Sequence, residues 1–198
     1  MEYTQLTRDW YLGEDVVKQA EFLLGKVICT QINGNYCSGI ICETEAYAGE
    51  IDKASHAFGG RRTARTETMY QTGGIAYIYL CYGMHHLFNV VTAPEGIPHA
   101  ILIRGIQPLE GIPIMQQRRN GKTLGKNFSS GPATASQALG LHTSLNGISC
   151  LESTIWIEDR NIPIRPEYIS KGPRIGVDYA GDHAKWPYRF WLNQAIEI

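Results

Sequence analysis

No stretch of this sequence approaches the roughly 20 consecutive apolar residues that a bilayer-spanning helix needs. Its first ten residues have neither the basic cluster nor the apolar run of a secretory signal. A soluble protein of the cytosol, without membrane contact, is therefore expected. Cysteine is sparse and poorly spaced for cross-linking. The five (Cys29, Cys37, Cys42, Cys81 and Cys150) are odd in number and form no Cys-x-x-Cys pair, which argues against a disulfide framework and a zinc ribbon. Cys29, Cys37 and Cys81 lie in apolar, strand-like stretches, where a free thiol acts as a small core hydrophobe. An excess of positive charge is missing too: 18 basic side chains against 19 acidic ones give a net charge of −1, an unpromising balance for a nucleic-acid binder. Internal repeats, low-complexity tracts and long linkers are also absent.

What is present describes an ordinary folded chain. Its 198 residues, 43% hydrophobic and 19% charged, suffice for one domain with a real core, spanning residues 1–198. The charges are unevenly distributed. Residues 1–60 carry four basic and nine acidic side chains. Residues 61–126 carry eight basic (Arg61, Arg62, Arg65, Arg104, Arg118, Arg119, Lys122, Lys126) and three acidic (Glu67, Glu95, Glu110), and residues 127–198 carry six and seven. The middle third is thus a positive zone that can neutralise a few phosphates without making the protein basic. Charge alone leaves ordinary solvated side chains as the simpler reading.

Periodicity predicts a short helix over 13–24, stopped by Gly25. Strands follow over 26–32 and 36–47, joined by Asn33-Gly34, a type I′ hairpin signal. Residues 48–73 are polar, irregular and longer than most connections, as functional loops are. A second hairpin is expected from 75–82 and 85–92 about Gly83-Met84, then a strand over 99–106. A helix over 108–119 starts at proline, although Pro113 disturbs it. Another helix opens at Ser130-Gly131-Pro132 and ends at Gly140, and late strands are read at 153–159, 174–177 and 189–192. The fold class is α+β: a strand-dominated mixed fold of antiparallel hairpins with flanking helices.

Side chains two apart on a strand share a face, so Glu43, Glu45 and Tyr47 point one way. A carboxylate beside an aromatic suits a pocket for a flat ring, with the tyrosine stacking and the glutamate activating water. Strand parity does not choose between Glu43 and Glu45, and an edge strand with solvated acids fits as well. In the second hairpin Tyr77 and Tyr79 face one way, and Tyr82 sits at the turn. A bulky residue on a protruding hairpin tip is suited to wedging into a base stack from the minor groove, though core or surface tyrosines are more common. A turn near Gly83-Met84 sets Asn89 roughly opposite Tyr79. His85-His86 has no further ligand at suitable spacing, so no metal site is expected.

Taken in order, several segments resemble the alkyladenine (3-methyladenine) DNA glycosylase family, including its bacterial members. They are Glu43 to Tyr47, Ala54-Ser55-His56, Gly59-Gly60-Arg61-Arg62-Thr63-x-Arg65, Tyr77 to Asn89, Leu102-Ile103-Arg104, Pro108-Leu109-Glu110-Gly111, Ser130-Gly131-Pro132, and Arg174-Ile175-Gly176-Val177 followed by Trp186-Pro187. Singly each is weak; the ordered set is specific.

The resemblance implies a role for each matched residue. Glu45 is the general base that activates water, held with Arg104 and the backbone carbonyl of Ile175. Tyr47 stacks on one face of an extruded base, His56 and Tyr79 on the other, and Asn89 meets the purine edge and discourages guanine. Tyr82 is the wedge, with Met84 beside it, and Arg61, Thr63 and Arg65 contact phosphates. The implied reaction removes alkylated or deaminated purines (3-methyladenine, 7-methylguanine, hypoxanthine, ethenoadenine) from duplex DNA by base flipping and leaves an abasic site. No lysine matches a Schiff-base role, so a monofunctional hydrolase without lyase activity is expected. It needs no cofactor or obligate protein partner and acts as a monomer. Two other readings keep part of the pattern. A purine nucleoside hydrolase needs no wedge or arginine loop, and a non-catalytic sensor of damaged DNA needs no Glu45 or Arg104. The chain departs from the family pattern in lacking a basic N-terminal extension and in carrying His85-His86 at the hairpin tip.

Overall fold

The computed structural model describes residues 3–125 and 127–196; Lys126, counted above in the positive zone, lies outside them. In chain order the elements are β1 (Thr4–Gln5), α1 (Arg8–Tyr11), α2 (Val16–Phe22), β2 (Val27–Ile32), β3 (Asn35–Ala48), β4 (Ala76–Cys81), β5 (His85–Thr92), β6 (His99–Glu110), α3 (Ile112–Arg118), α4 (Pro132–Leu139), β7 (Ile155–Asp159), β8 (Ile169–Gly172) and β9 (Arg189–Leu192). Short 3-10 turns interrupt the rest, three of them within the irregular 49–70 region. The nine strands among the described residues form one antiparallel sheet, ordered β1-β7-β2-β3-β6-β5-β4, with β9 also pairing β3 and β8 pairing β9. The α+β class and its two predicted hairpins are present. No helix among the described residues is long and apolar enough to cross a membrane.

The long strand β3 organises the sheet. Its first half pairs with β2 through the turn at Asn33-Gly34. Its second half lies between β6 and β9. The Glu43–Tyr47 segment is therefore central, not at an edge. Parity sends Thr44 and Ala46 towards the main core, where Thr44 Oγ1 donates to Ala20 O of α2 at 2.7 Å. Alternate residues Glu43, Glu45 and Tyr47 take the other face, where two irregularities in the β3–β6 register near Glu43 locally bend the strand.

Three expectations needed correction. The helix read from Pro108 is strand as far as Glu110. Pro108 pairs with Gly39 at a register shift, a position where a residue without an N–H is tolerated in a sheet. Gly111, at φ 72°, then turns the chain into α3, and a Cβ there would meet Tyr36 O at 2.2 Å. Pro113 falls in the first helical turn, where it costs no hydrogen bond. The strand read at 174–177 is an irregular turn: pairing ends at Gly172, before Pro173. Asn89 pairs with Tyr77, and Tyr79 with Leu87, because the turn has three residues, Tyr82-Gly83-Met84, and centres on Gly83, with Tyr82 and Gly83 both at positive φ (51° and 71°).

Candidate active site

Glu45 is completely buried, with 0% of its side chain exposed. Its Oε1 accepts the backbone N–H of Ile175 at 2.8 Å, and its Oε2 accepts the hydroxyl of Tyr47 at 2.8 Å. Arg104 Nε stands 3.4 Å from Oε1. Burial pushes the Glu45 carboxyl above its ordinary value, with the Arg104 charge, the Ile175 N–H and the Tyr47 hydroxyl acting against that rise and the Glu43 charge adding to it. A carboxylate offers about four lone-pair sites. Here Oε1 faces two donors and Oε2 one, so Oε2 keeps lone-pair capacity, although with no side-chain exposure it is screened from water by Tyr47, Arg104 and Ile175 in this structure.

Glu43 has a different environment. Its Oε1 receives Arg104 Nε at 2.9 Å and Arg189 Nε at 2.6 Å. Two arginines neutralise it, and in return it fixes Arg104 against Glu45. Their partners distinguish the two glutamates that strand parity left equivalent: Glu43 is paired with two arginines, whereas Glu45 is fully buried with two neutral donors and a longer contact to Arg104.

Above Glu45 lies a cavity of about 180 Å³. Glu45 sits one layer beneath its lining; its partners Tyr47, Arg104 and Ile175 reach the surface of the cavity, with Asn89, His56 and Tyr79. The His56 and Tyr79 rings meet edge to face with centroids 4.7 Å apart. His56 Nδ1 is 2.8 Å from the Tyr77 hydroxyl, and Arg65 Nη2 donates to Nε2 at 3.4 Å. Arginine cannot accept, so Nε2 holds the lone pair and Nδ1 carries the proton. Burial, reinforced by Arg65 and Arg61, lowers His56 to about 4, so this wall is uncharged at neutral pH. Asn89 Nδ2 donates to Tyr77 O at 3.1 Å, which fixes the amide at the cavity edge.

The hairpin of β4 and β5 projects Tyr82 and Met84, 89% and 68% exposed, among the most exposed large apolar side chains described. A tyrosine at positive φ is a strained choice. The tip holds it there through the tight turn that Met84 N closes onto Cys81 O at 3.1 Å. Behind the tip, His86 Nδ1 accepts the Thr143 N–H at 3.3 Å and its ring lies 3.8 Å from that of His142. His86 thus braces the hairpin. No group of three or more His, Cys, Asp or Glu side chains among the described residues could hold a metal.

The positive zone divides into committed and exposed charges. Arg62 is bound by Glu67 at 3.1 and 3.0 Å, Arg104 belongs to the glutamate cluster, and Arg119 is buried on Phe128 O. Arg61 and Arg65 are exposed and form no ion pair among the described residues. Thr63 and Thr66 bond reciprocally, Thr63 N to Thr66 Oγ1 at 2.9 Å and Thr66 N to Thr63 Oγ1 at 3.3 Å, which shapes the loop that presents them. Sequence reasoning missed Tyr77, Arg189, Asp52 and Arg174 as site residues. The signal for Tyr77 is its parity with Tyr79; Arg189 and Arg174 meet partners far away in sequence, and Asp52 joins Arg174 to the nearby N–H groups of Ala48 and Ala54.

The sequence profile of the Methylpurine-DNA glycosylase (MPG) family matches residues 10–196. Three bacterial relatives share the designation 3-methyladenine DNA glycosylase. One from Chlamydia felis is 47% identical over 95% of this chain and 96% of its own length. One from Clostridium perfringens is 43% identical over 96% of each chain, and one from Bacillus cereus matches at the same identity and coverage.

Proposed function

The chain belongs to the methylpurine-DNA glycosylase family, and from that membership we propose that it is a DNA repair glycosylase that hydrolyses the N-glycosidic bond of alkylated or deaminated purines. The observation that carries the reading is Glu45, buried beneath an aromatic cavity with a lone pair to spare and a raised affinity for protons. A general base works best when its pKa approaches the working pH, and burial moves this carboxyl in that direction.

The reaction requires the base outside the helix, since an enzyme cannot reach a glycosidic bond inside a stacked duplex. Tyr82 fills the vacated space from the minor groove, with Met84 beside it, and Arg61, Thr63 and Arg65 hold flanking phosphates. The extruded purine stacks between Tyr47 and the His56–Tyr79 wall, recovering about 1–3 kcal/mol per stacked base. Asn89 limits the room beside the purine edge, which disfavours guanine with its exocyclic amino group. A water between Glu45, Arg104 and the Ile175 backbone attacks the sugar as the bond to the base breaks. Glu45 takes the proton of that water, and its charge faces the oxocarbenium-like sugar. A purine alkylated at N3 or N7 leaves as a neutral base without needing a proton. On this reading the chain acts on damaged double-stranded DNA as a monomer in the bacterial cytosol, requires no cofactor and, with no lysine among the described residues that line the cavity, does not nick the strand.

Duplex oligonucleotides bearing hypoxanthine or ethenoadenine, together with methylated DNA, test this directly without added metal. Alkali-labile abasic sites are the expected product. Glu45→Gln should still bind the lesion duplex but lose excision by orders of magnitude. Binding of lesions with no release from any substrate would replace the enzyme with a damage sensor, and release from free nucleosides alone would replace it with a nucleoside hydrolase.

A further inference from the structure

Arg174 and Asp52 form a bidentate ion pair with no side-chain exposure at either residue: Arg174 Nη2 donates to Asp52 Oδ1 at 2.8 Å and Nη1 to Oδ2. Arg174 Nη1 also donates to Ala46 O at 2.8 Å, the carbonyl between Glu45 and Tyr47. Asp52 in turn accepts the backbone N–H groups of Ala48 at 3.1 Å and Ala54 at 3.0 Å. One pair therefore ties together three segments: the end of β3 that carries Glu45 and Tyr47, the loop that leads to His56, and the turn whose next residue is Ile175. The guanidinium also lies 4.8 Å from the centroid of the Tyr47 ring.

We propose that the Arg174–Asp52 pair is a positioning device for the reaction, holding the Ile175 N–H and the Tyr47 ring in register with Glu45. The proposal rests on the glycosylase reading of the site. Stability is a poor account of the pair, because buried ion pairs seldom outperform apolar side chains of the same volume. Arg174 Nε is, moreover, buried without a partner, an uncompensated cost. What the pair contributes is geometry. A planar fork can satisfy Asp52 and a backbone carbonyl together, whereas an ammonium cannot reproduce that arrangement. Because Arg174 and Ile175 are adjacent, anchoring the side chain of one on Ala46 fixes the direction of the other's N–H towards Glu45.

The charged and titratable groups around Glu45 are Glu43 and Tyr47 on its own strand, Arg104 on β6, Arg189 held against Glu43 from β9, and Arg174 and Tyr179 from the turn segment. Withdrawing the Ile175 N–H from this set removes a donor to the ionised carboxylate, so Glu45 must hold its proton to higher pH.

Three variants test the assignment. Arg174→Lys keeps the charge and removes the fork. Asp52→Asn keeps the shape and removes the charge. Replacement of Ile175 by its α-hydroxy acid leaves a backbone ester and removes only the N–H. All three should bind a lesion duplex within about threefold of wild type. Single-turnover base release should fall about 100-fold, the scale of a small misplacement of reacting groups, and its acid limb should move to higher pH in Arg174→Lys and the ester variant, where no cation is freed beside Glu45. Carbon-13 titration of the Glu45 carboxyl in the free protein needs no turnover and should shift in the same direction in these two. An unmoved Glu45 titration in either of the two when folded, or a rate loss fully explained by weaker binding, overturns the proposal. If the two side-chain variants fail to fold, the ester variant decides. If wild-type protein releases no base, the glycosylase reading fails, and the carboxyl titration still decides what Arg174 does.

Discussion

The Tyr47 hydroxyl donates to Glu45 Oε2 at 2.8 Å, so the residue proposed to stack on the base and the residue proposed to activate water are coupled on one strand face. Tyr47→Phe separates the two functions. The ring survives and with it the stacking surface, so lesion binding should stay within about twofold of wild type. The hydrogen bond to a charged acceptor disappears, a loss of roughly 1.5–3 kcal/mol. Part of that should appear as a higher apparent pKa in the acid limb of the pH–rate profile, because a donor to the ionised form has gone. A pH profile superimposable on wild type would show that the hydroxyl does not tune Glu45.

Glu45 also sets a pH dependence of stability. Burial raises its pKa above the ordinary 4.5, so the fold favours the protonated form. The stability that this protonation contributes is fully present below the unfolded pKa. It is lost as pH rises through the folded pKa. Glu45→Gln carries no such titration. Its thermal midpoint should therefore gain on wild type between about pH 4.5 and neutrality, by about 2–4 °C for each kcal/mol removed in a chain of this size. Differential scanning fluorimetry at pH 4 and pH 7 reads the gap, and a gap that does not widen with pH refutes the claim. The expected combination, a more stable but inactive protein, is characteristic of a site that sacrifices stability for chemistry.

Tyr82 occupies a backbone conformation that suits glycine (φ 51°) and exposes 89% of its side chain. Nothing in the fold requires the ring. Tyr82→Gly should relieve about 1 kcal/mol of strain and raise the thermal midpoint slightly. It should also lower excision from a duplex at least tenfold more than from a single strand, where there is no gap to fill. Equal losses on the two substrates would count against a wedge.

Legibility in the sequence followed the range of the interactions. Asn33-Gly34 and the strand runs around it are local signals, and the hairpin they predict is present. Alternation placed Glu43, Glu45 and Tyr47 on one face, as found, because parity survives as long as pairing does. What the chain could not reveal locally depends on distant partners. Glu43 and Glu45 differ through Arg104, Arg189 and Ile175, which lie 61, 146 and 130 residues away. The segment at 174–177 looks like a strand by composition, yet the Ile175 N–H serves a carboxylate instead of a ladder. The register of the second hairpin is not legible locally, because its turn includes a tyrosine at positive φ, a conformation rarely expected of an aromatic. A count of basic residues cannot show that folding commits Arg62, Arg104 and Arg119 to internal partners.

That division of the basic residues leads to a prediction about salt. Each phosphate neutralised by a cation releases about 0.9 counterions, so removing one such contact lowers the slope of log K against log salt by roughly 1. Arg61 and Arg65 are exposed and form no ion pair among the described residues, whereas Arg62 already answers Glu67 and lies 4.5 Å from the Tyr70 ring. Arg61→Ala and Arg65→Ala should therefore each flatten the salt dependence of duplex binding by about one unit, and Arg62→Ala should leave it nearly unchanged. The comparison discriminates because the three residues lie within five positions of one another and would behave alike if local charge density were all that mattered. Fluorescence anisotropy with a lesion duplex across 50–200 mM salt measures the slopes. Equal changes for all three would mean that the Arg62–Glu67 pair opens on DNA and that the loop binds as a general basic patch.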